Sequence, residues 1–337
     1  MSVVLLHSSV VARHPVWHIP FFSDFGWLGV QLFFVISGFI IADTVDRSKT
    51  ATQFLLRRYL RVLPLYGAVT LAALAISLAV GSDIFTNGRT DSAVPQTVVS
   101  DFYLLKSLLV VPQDPWPFFM VGWSLEFEVV FYTLFGLAYF LGGRAAAIGA
   151  VALASLIGAA APEATAVFLG PNFIYFLAGC LCREIYRSGA ASNRAGLSVV
   201  FMASVIPALL QQYEIMALPW PVSRLPWILA LGALVLLFLN EEASLRNFRC
   251  TRQLVLLGNI SFSLYLVHWL VFPIARLSAK GLVAEGWSAE VWRWGAIALS
   301  LYLAWGAWKF VEEPMNAQVR KRLANAVKRP HPAAARI

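Results

Sequence analysis

Residues 118–141 read FFMVGWSLEFEVVFYTLFGLAYFL, a run of membrane-spanning length whose only charged side chains are Glu126 and Glu128. An α-helix needs about 20 mostly apolar residues to cross the hydrocarbon core of a bilayer. Similar apolar runs recur along the 337 residues, with short polar gaps between them. The chain is 59% hydrophobic and 13% charged, with a mean hydropathy of +0.70. These features predict an all-α fold, a polytopic transmembrane helix bundle in contact with the lipid bilayer.

Helix positions follow from the apolar runs and from the polar segments between them. The sequence predicts about ten helices, near residues 1–12, 27–45, 60–80, 118–142, 145–161, 171–186, 195–213, 225–240, 254–277 and 290–312. The first is too short to cross a membrane, because only about a dozen apolar residues precede Arg13. The segment 99–111 is also too short, and we expect it to lie at the membrane interface.

The basic residues predict the orientation of the bundle. With the N-terminus inside, 19 of the 26 Lys and Arg residues fall on the inner side of the ten-helix arrangement. Cytoplasmic loops of membrane proteins are enriched in Lys and Arg. We therefore expect a multi-pass protein of the bacterial inner membrane with both termini in the cytoplasm. Because the same distribution explains the net charge of +8, we expect no nucleic-acid partner.

The three cysteines do not indicate a disulfide or a metal site. Cys180 and Cys182 are two positions apart on one predicted helix, so their side chains face different directions. We expect no metal and no permanently bound cofactor.

Four ionisable residues lie inside the apolar runs, namely His7, Glu126, Glu128 and His268. A charge at the centre of a bilayer costs roughly 2.5 to 3.5 kcal/mol even on a lenient scale, so such residues are candidates for function. Glu126 and Glu128 are about 200° apart around a helix axis, so they cannot face the same site. We expect one to serve the chemistry and the other to make a helix contact. The alternative is a purely structural role between helices, for Glu128 and for His268.

A cluster of arginines follows the second predicted helix, in the segment FLLRRYLRVLPLY. At helical spacing, Arg61 shares a face with Arg57 and neighbours Arg58. Guanidinium groups bind phosphate oxygens in a bidentate manner, so the cluster suits a phosphorylated cytoplasmic ligand. The alternative is simple anchoring of the inner membrane surface by positive charge.

Five segments, in this order along the chain, resemble the signature of the acyltransferase 3 family: GVQLFFVISGFII (29–41), FLLRRYLRVLPLY (54–66), WSLEFEVVFY (123–132), ISFSLYLVHW (260–269) and FVEEPM (310–315). This family comprises membrane O-acetyltransferases of bacterial polysaccharides and related substrates. The resemblance implies a ten-helix enzyme that moves an acyl group, usually acetyl, from cytoplasmic acyl-CoA to a hydroxyl of a glycan or small-molecule acceptor.

The resemblance also implies roles for individual residues. His7 corresponds to the functional histidine of the family, and Glu128 to the carboxylate of its WSL motif. Arg57, Arg58 and Arg61 correspond to the basic motif implicated in handling the CoA phosphates. Further polar positions of the motifs are expected to contact substrate or to support the structure: Trp123, Ser124, Tyr265 and His268.

The resemblance divides the chain into an acyltransferase membrane domain, residues 1–315, and a short basic cytoplasmic tail, residues 316–337. The family commonly has an arginine eleven positions before its first histidine, which here would precede Met1. We therefore expect a longer natural N-terminus. Since the tail is too short for the extracytoplasmic domain that some members carry, we expect the stand-alone form.

Two other functions fit an apolar chain with buried ionisable residues. A secondary transporter would use His and Glu as a proton relay. A catalytically silent membrane sensor or assembly partner would use the buried residues only for structure. The one-sided arginine cluster and the five ordered segments favour the enzyme.

Overall fold

A computed structural model describes residues 1–11, 25–81, 84–85, 102–114, 116–165, 168–246, 250–279 and 287–328, and all regular secondary structure in these ranges is helical. The α-helices are α1 Ser2–His7, α2 Leu28–Thr44, α3 Ala51–Val80, α4 Tyr103–Leu108, α5 Trp123–Ala160, α6 Pro162–Thr165, α7 Phe173–Arg187, α8 Arg194–Gln212, α9 Leu225–Asn240, α10 Glu242–Arg246, α11 Thr251–Asn259, α12 Ser261–Ala279, α13 Trp287–Ala307 and α14 Glu313–Lys328. A π-helical turn, Trp308–Glu312, joins α13 to α14.

A helix occupies each of the ten predicted positions. The fourth and fifth predicted helices are the two halves of α5, which bends where Gly142 and Gly143 leave helical geometry, with φ of −143° and +73°. A residue with a Cβ rarely adopts the left-handed conformation of Gly143, so the glycine pair permits the bend. Arg13, which ends the first predicted apolar run, lies outside the described residues.

Some helix ends differ from the predicted positions. Helix α3 begins at Ala51 rather than near residue 60, because Thr50 caps it by accepting the Gln53 N–H at 3.2 Å. The arginine cluster is therefore helical. The predicted helix 254–277 is divided into α11 and α12. Residues 103–108 form the short helix α4, in the segment expected at the interface.

Within the described residues, six segments are long and apolar enough to cross a membrane: Leu28–Arg47, Ala51–Val80, Met120–Ala160, Arg194–Gln212, Val222–Asn240 and Ser261–Ser278. The segment Met120–Ala160 contains the bend in α5. The fold is thus a polytopic membrane helix bundle.

Helices α2 and α7 pack at close range through one glycine on each. A Cβ on Gly38 would lie 2.2 Å from the carbonyl oxygen of Phe176, and a Cβ on Gly179 would lie 2.0 Å from that of Val35. Small residues allow two helix backbones to approach this closely. Since lipid provides no hydrophobic driving force between helices, such close packing helps to hold them together. This contact fixes the position of Ser37, the neighbour of Gly38.

Aromatic rings attach α5 to this pair of helices. Phe131 of α5 stacks on Phe176 of α7, with ring centroids 4.4 Å apart, and Phe34 of α2 lies 4.5 Å from the same ring. All three side chains are fully buried. Because Phe131 is one turn after Glu128, this packing sets the depth and rotation of the carboxylate.

Candidate active site

Glu128 lies in the second turn of α5, and its side chain is buried. The Ser37 hydroxyl donates to Oε1 at 3.0 Å, and the Tyr132 hydroxyl donates to the same oxygen. Tyr132 reaches it because residues four apart on a helix are neighbours. Two hydroxyl donors therefore hold this carboxylate in one orientation.

Glu128 lines a cavity of about 420 Å³ between α1, α2, α3, α5, α11 and α12. The wall is mostly apolar, and its polar members are Ser2, Ser37, Arg58, Arg61, Ser124, Glu128, Tyr132, Ser261 and Tyr265. Two guanidinium groups and one carboxylate are the charged side chains among these wall residues. The cavity therefore carries positive charge and suits an anionic ligand.

The three arginines do not occupy equivalent positions. Arg58 and Arg61 line the cavity, whereas Arg57 does not. Arg58 donates to the Thr44 hydroxyl and lies over the Tyr132 ring, 6.0 Å from its centroid. Arg57 donates to the carbonyl oxygen of Arg47 at 2.9 Å. Arg58 and Arg61, three positions apart, thus face the cavity, and Arg57 connects α3 to the 3-10 turn that follows α2.

Glu126 is buried but is absent from the cavity wall. Its polar neighbour is Gln113, in the segment after α4. The Glu126 Oε1 atom has no hydrogen-bond partner among the described residues. The two carboxylates of α5 therefore face different surroundings, as their angular separation predicts, although the neighbour of Glu126 is a loop residue rather than a helix.

His7 and His268 contact each other. Nδ1 of His7 lies 2.9 Å from Nε2 of His268, which joins α1 to α12. His268 is fully buried, and its Nδ1 lies 3.0 Å from the carbonyl oxygen of Leu264. Neither histidine is part of the cavity wall, but Val4 and Leu264, one turn before them on α1 and α12, are. The pair therefore lies one helical turn beyond this wall.

Tyr265 connects the histidine pair with α5. Its hydroxyl lies 2.7 Å from the Ser124 hydroxyl and donates to the carbonyl oxygen of Val121 at 2.9 Å. Its ring lies 5.8 Å from the His268 ring, between centroids. Trp123 is not part of the cavity wall, and its ring packs edge-on against Phe34 and Trp116.

The family described as "Acyltransferase domain" matches residues 1–309 of the chain. The chain belongs to this family. It is therefore an acyltransferase and a multi-pass membrane protein, of a family that acylates polysaccharides or small molecules. Membership favours an enzyme over a transporter as the explanation of the buried His and Glu residues.

The acyltransferase is similar to curated bacterial proteins. It is 30% identical to "Exopolysaccharide production protein ExoZ" of Rhizobium meliloti, over 89% of this chain and 93% of that protein. It is 27% identical to "Acyltransferase MdmB" of Streptomyces mycarofaciens, over 83% of this chain and 76% of that protein. It is 22% identical to "Peptidoglycan O-acetyltransferase OatA" of Listeria monocytogenes, over 94% of this chain and 55% of that protein. No solved structure gave a significant match.

The sequence alone did not identify several buried polar contacts of the acyltransferase. Ser37 and Tyr132 both donate hydrogen bonds to Glu128. The sequence indicates only the second contact, because Tyr132 follows Glu128 by four residues on one helix. Glu312, in the π-helical turn, is buried and accepts a hydrogen bond from the Ser263 hydroxyl at 2.7 Å. Its segment FVEEPM belongs to the family signature, but the spacing gives no indication of this partner.

Proposed function

We propose that the protein transfers an acyl group, usually acetyl, from cytoplasmic acyl-CoA to a hydroxyl of a glycan or small-molecule acceptor. One observation carries this proposal: Arg58, Arg61 and Glu128 line one cavity, and the His7–His268 pair lies one turn beyond its wall. The charged groups suit a phosphorylated donor. The histidines supply an imidazole nitrogen that can take the proton of the acceptor hydroxyl during its attack.

Arg58 and Arg61 bind the phosphates of the donor in this proposal. Charge-assisted, bidentate contacts of arginine with phosphate are among the strongest polar contacts in proteins. Arg57 was expected to share this role. Because its side chain donates to the Arg47 carbonyl and does not line the cavity, we assign it to anchoring the start of α3.

His7 acts as the general base. It takes the proton of the acceptor hydroxyl while the oxygen attacks the carbonyl carbon of the thioester. A carbon–oxygen bond forms and the carbon–sulfur bond breaks. The departing CoA thiolate then takes the proton that His7 has received from the acceptor hydroxyl. Glu128, held by Ser37 and Tyr132, orients the reacting groups or balances their charge.

The relatives support a glycan as the acceptor. One is named for exopolysaccharide production and another as a peptidoglycan O-acetyltransferase. "Acyltransferase MdmB" carries no glycan in its name, so a small-molecule hydroxyl stays within the proposal.

The topology completes the proposal, with ten spans and both termini in the cytoplasm of a bacterial inner membrane. The arginines at the start of α3 then lie on the cytoplasmic side, where acyl-CoA is present. The 19 basic residues on that side support this orientation.

The test is transfer of ¹⁴C-acetyl from acetyl-CoA to membrane glycans, in membranes from cells that express the protein. We expect His7→Gln to lower transfer by about 100-fold or more, which is the usual contribution of a general base. Ser9→Ala is the matched control, since Ser9 is exposed on the turn that follows α1 and should leave transfer unchanged. Full activity of His7→Gln at normal expression would contradict the assignment.

A further inference from the structure

The contact between His7 and His268 has the geometry of a directed hydrogen bond. The planes of the two rings are within 10° of each other, and their centroids are 5.2 Å apart. This separation is much larger than the contact distance of stacked rings. It equals approximately two ring radii plus the 2.9 Å between Nδ1 of His7 and Nε2 of His268. The two imidazoles therefore lie edge to edge in nearly one plane, with one N–H between them.

The carbonyl oxygen of Leu264 determines the direction of this hydrogen bond. A carbonyl can only accept, so Nδ1 of His268, 3.0 Å away, carries a proton. In a neutral imidazole the other nitrogen then has no proton, and Nε2 of His268 is an acceptor. Nδ1 of His7 must therefore be the donor. The Nε2 atom of His7 is left with a free lone pair.

We propose that His268 is a positioning residue that fixes His7 in the Nδ1–H tautomer, so that Nε2 of His7 is the atom that takes the acceptor proton. This proposal rests on the proposed function, in which His7 is the base. His268 does not touch the substrate. It orients the ring of His7 and, after proton transfer, continues to accept from Nδ1 of the charged imidazole.

Among the described residues, aromatic rings pack around His268. The Phe272 and Tyr265 rings surround its fully buried side chain, with centroids 5.6 and 5.8 Å away. The Trp269 ring lies edge-on to the His7 ring, with the two centroids 5.0 Å apart. A bulk water molecule cannot readily replace the acceptor nitrogen in such a setting, so His7 depends on His268 for its tautomer. Fixing a catalytic histidine through the partner of its other nitrogen is a general device in enzymes.

The direct test is ¹⁵N NMR of the detergent-solubilised protein labelled at histidine, near neutral pH. The chain has five histidines, and spectra of His7→Gln and His268→Gln assign the two resonance sets. We expect both residues in the Nδ1–H tautomer. His7 in the Nε2–H tautomer would overturn the proposal, and the tautomer itself is read from the spectrum of the unaltered protein.

Kinetics of two His268 variants provide the second readout. In His268→Gln the amide oxygen can occupy the place of Nε2 and accept from His7, whereas His268→Leu offers no acceptor. We expect kcat to fall roughly 10- to 100-fold in His268→Leu, the effect of losing an outer partner that orients a histidine, with an unchanged KM for acetyl-CoA, and to be largely restored in His268→Gln. Equal kcat in His268→Leu and the unaltered protein would overturn the role of His268. If His7→Gln were inactive in that case, the proposed function would still stand.

Discussion

Two carboxylates on one helix have different environments although a single residue separates them. Glu128 accepts from two hydroxyls and shares a cavity with two arginines. Glu126 is also buried, but its neighbour is Gln113, and its Oε1 has no partner among the described residues. The helical angle between the two predicts that they diverge. It does not predict that Ser37 holds Glu128, because that contact depends on how α2 packs on α5.

Replacing each carboxylate by its amide separates their roles. Glu128→Gln keeps an oxygen that can accept from Ser37 and Tyr132 but removes the negative charge. We expect acyl transfer to fall by about 100-fold or more, the low end of what an electrostatically stabilising group contributes in the transition state. Glu126→Gln should retain most of the activity. Transfer of ¹⁴C-acetyl in membranes with matched protein levels measures both variants, and equal loss in the two would contradict unequal roles.

At the scale of the helices, the apolar runs and their interruptions predict where the helices lie. The glycine pair that ends the run at residue 141 coincides with the bend in α5. The early start of α3 depends on the Thr50 cap, a local signal that the apolar pattern does not contain. The close packing of α2 on α7 could not be predicted, since Gly38 and Gly179 show their function only when both helices are in contact.

Gly38 provides the test of this interface. A methyl group there would meet the Phe176 carbonyl at 2.2 Å, so α2 must shift and Ser37 must move with it. We expect Gly38→Ala to destabilise the protein by about 1 to 3 kcal/mol, the usual cost of overpacking, and to lower activity. Gly149→Ala is the control, because nothing lies within 4 Å of its Cβ position. Thermal unfolding in detergent compares them, and equal melting temperatures would show that the close approach is not required.

For the whole molecule, the bundle brings together residues that are distant in sequence. The charged residues of the cavity come from α3 and α5, and the histidine pair comes from α1 and α12. Composition and motif order predict a membrane acyltransferase, and the family match confirms that class. They do not predict that Arg57 leaves the cavity wall or that His7 contacts His268. Both depend on the rotation of packed helices, which sequence patterns do not define.

The exposed Cys250 is a natural probe of the proposed topology, because it precedes α11 on the side predicted to be cytoplasmic. A membrane-impermeant maleimide should label it in inverted vesicles and not in intact cells. Cys180 and Cys182 are buried, so Cys250→Ser should abolish labelling. Labelling of Cys250 from outside intact cells would mean that the orientation is reversed.

Binding of acetyl-CoA to the purified protein tests most directly whether this cavity receives the donor. Calorimetric titration of the unaltered protein, Arg58→Ala and Arg57→Ala compares two adjacent arginines that face different surroundings. A hydrogen bond to a charged group contributes about 1.5 to 3 kcal/mol, so Arg58→Ala should raise Kd by roughly 10- to 100-fold. Arg57→Ala should change Kd by less than about threefold, within the weak effect of a surface charge. Unchanged affinity in Arg58→Ala, or an equal loss in both variants, would contradict the assignment of the cavity as the acyl-CoA site.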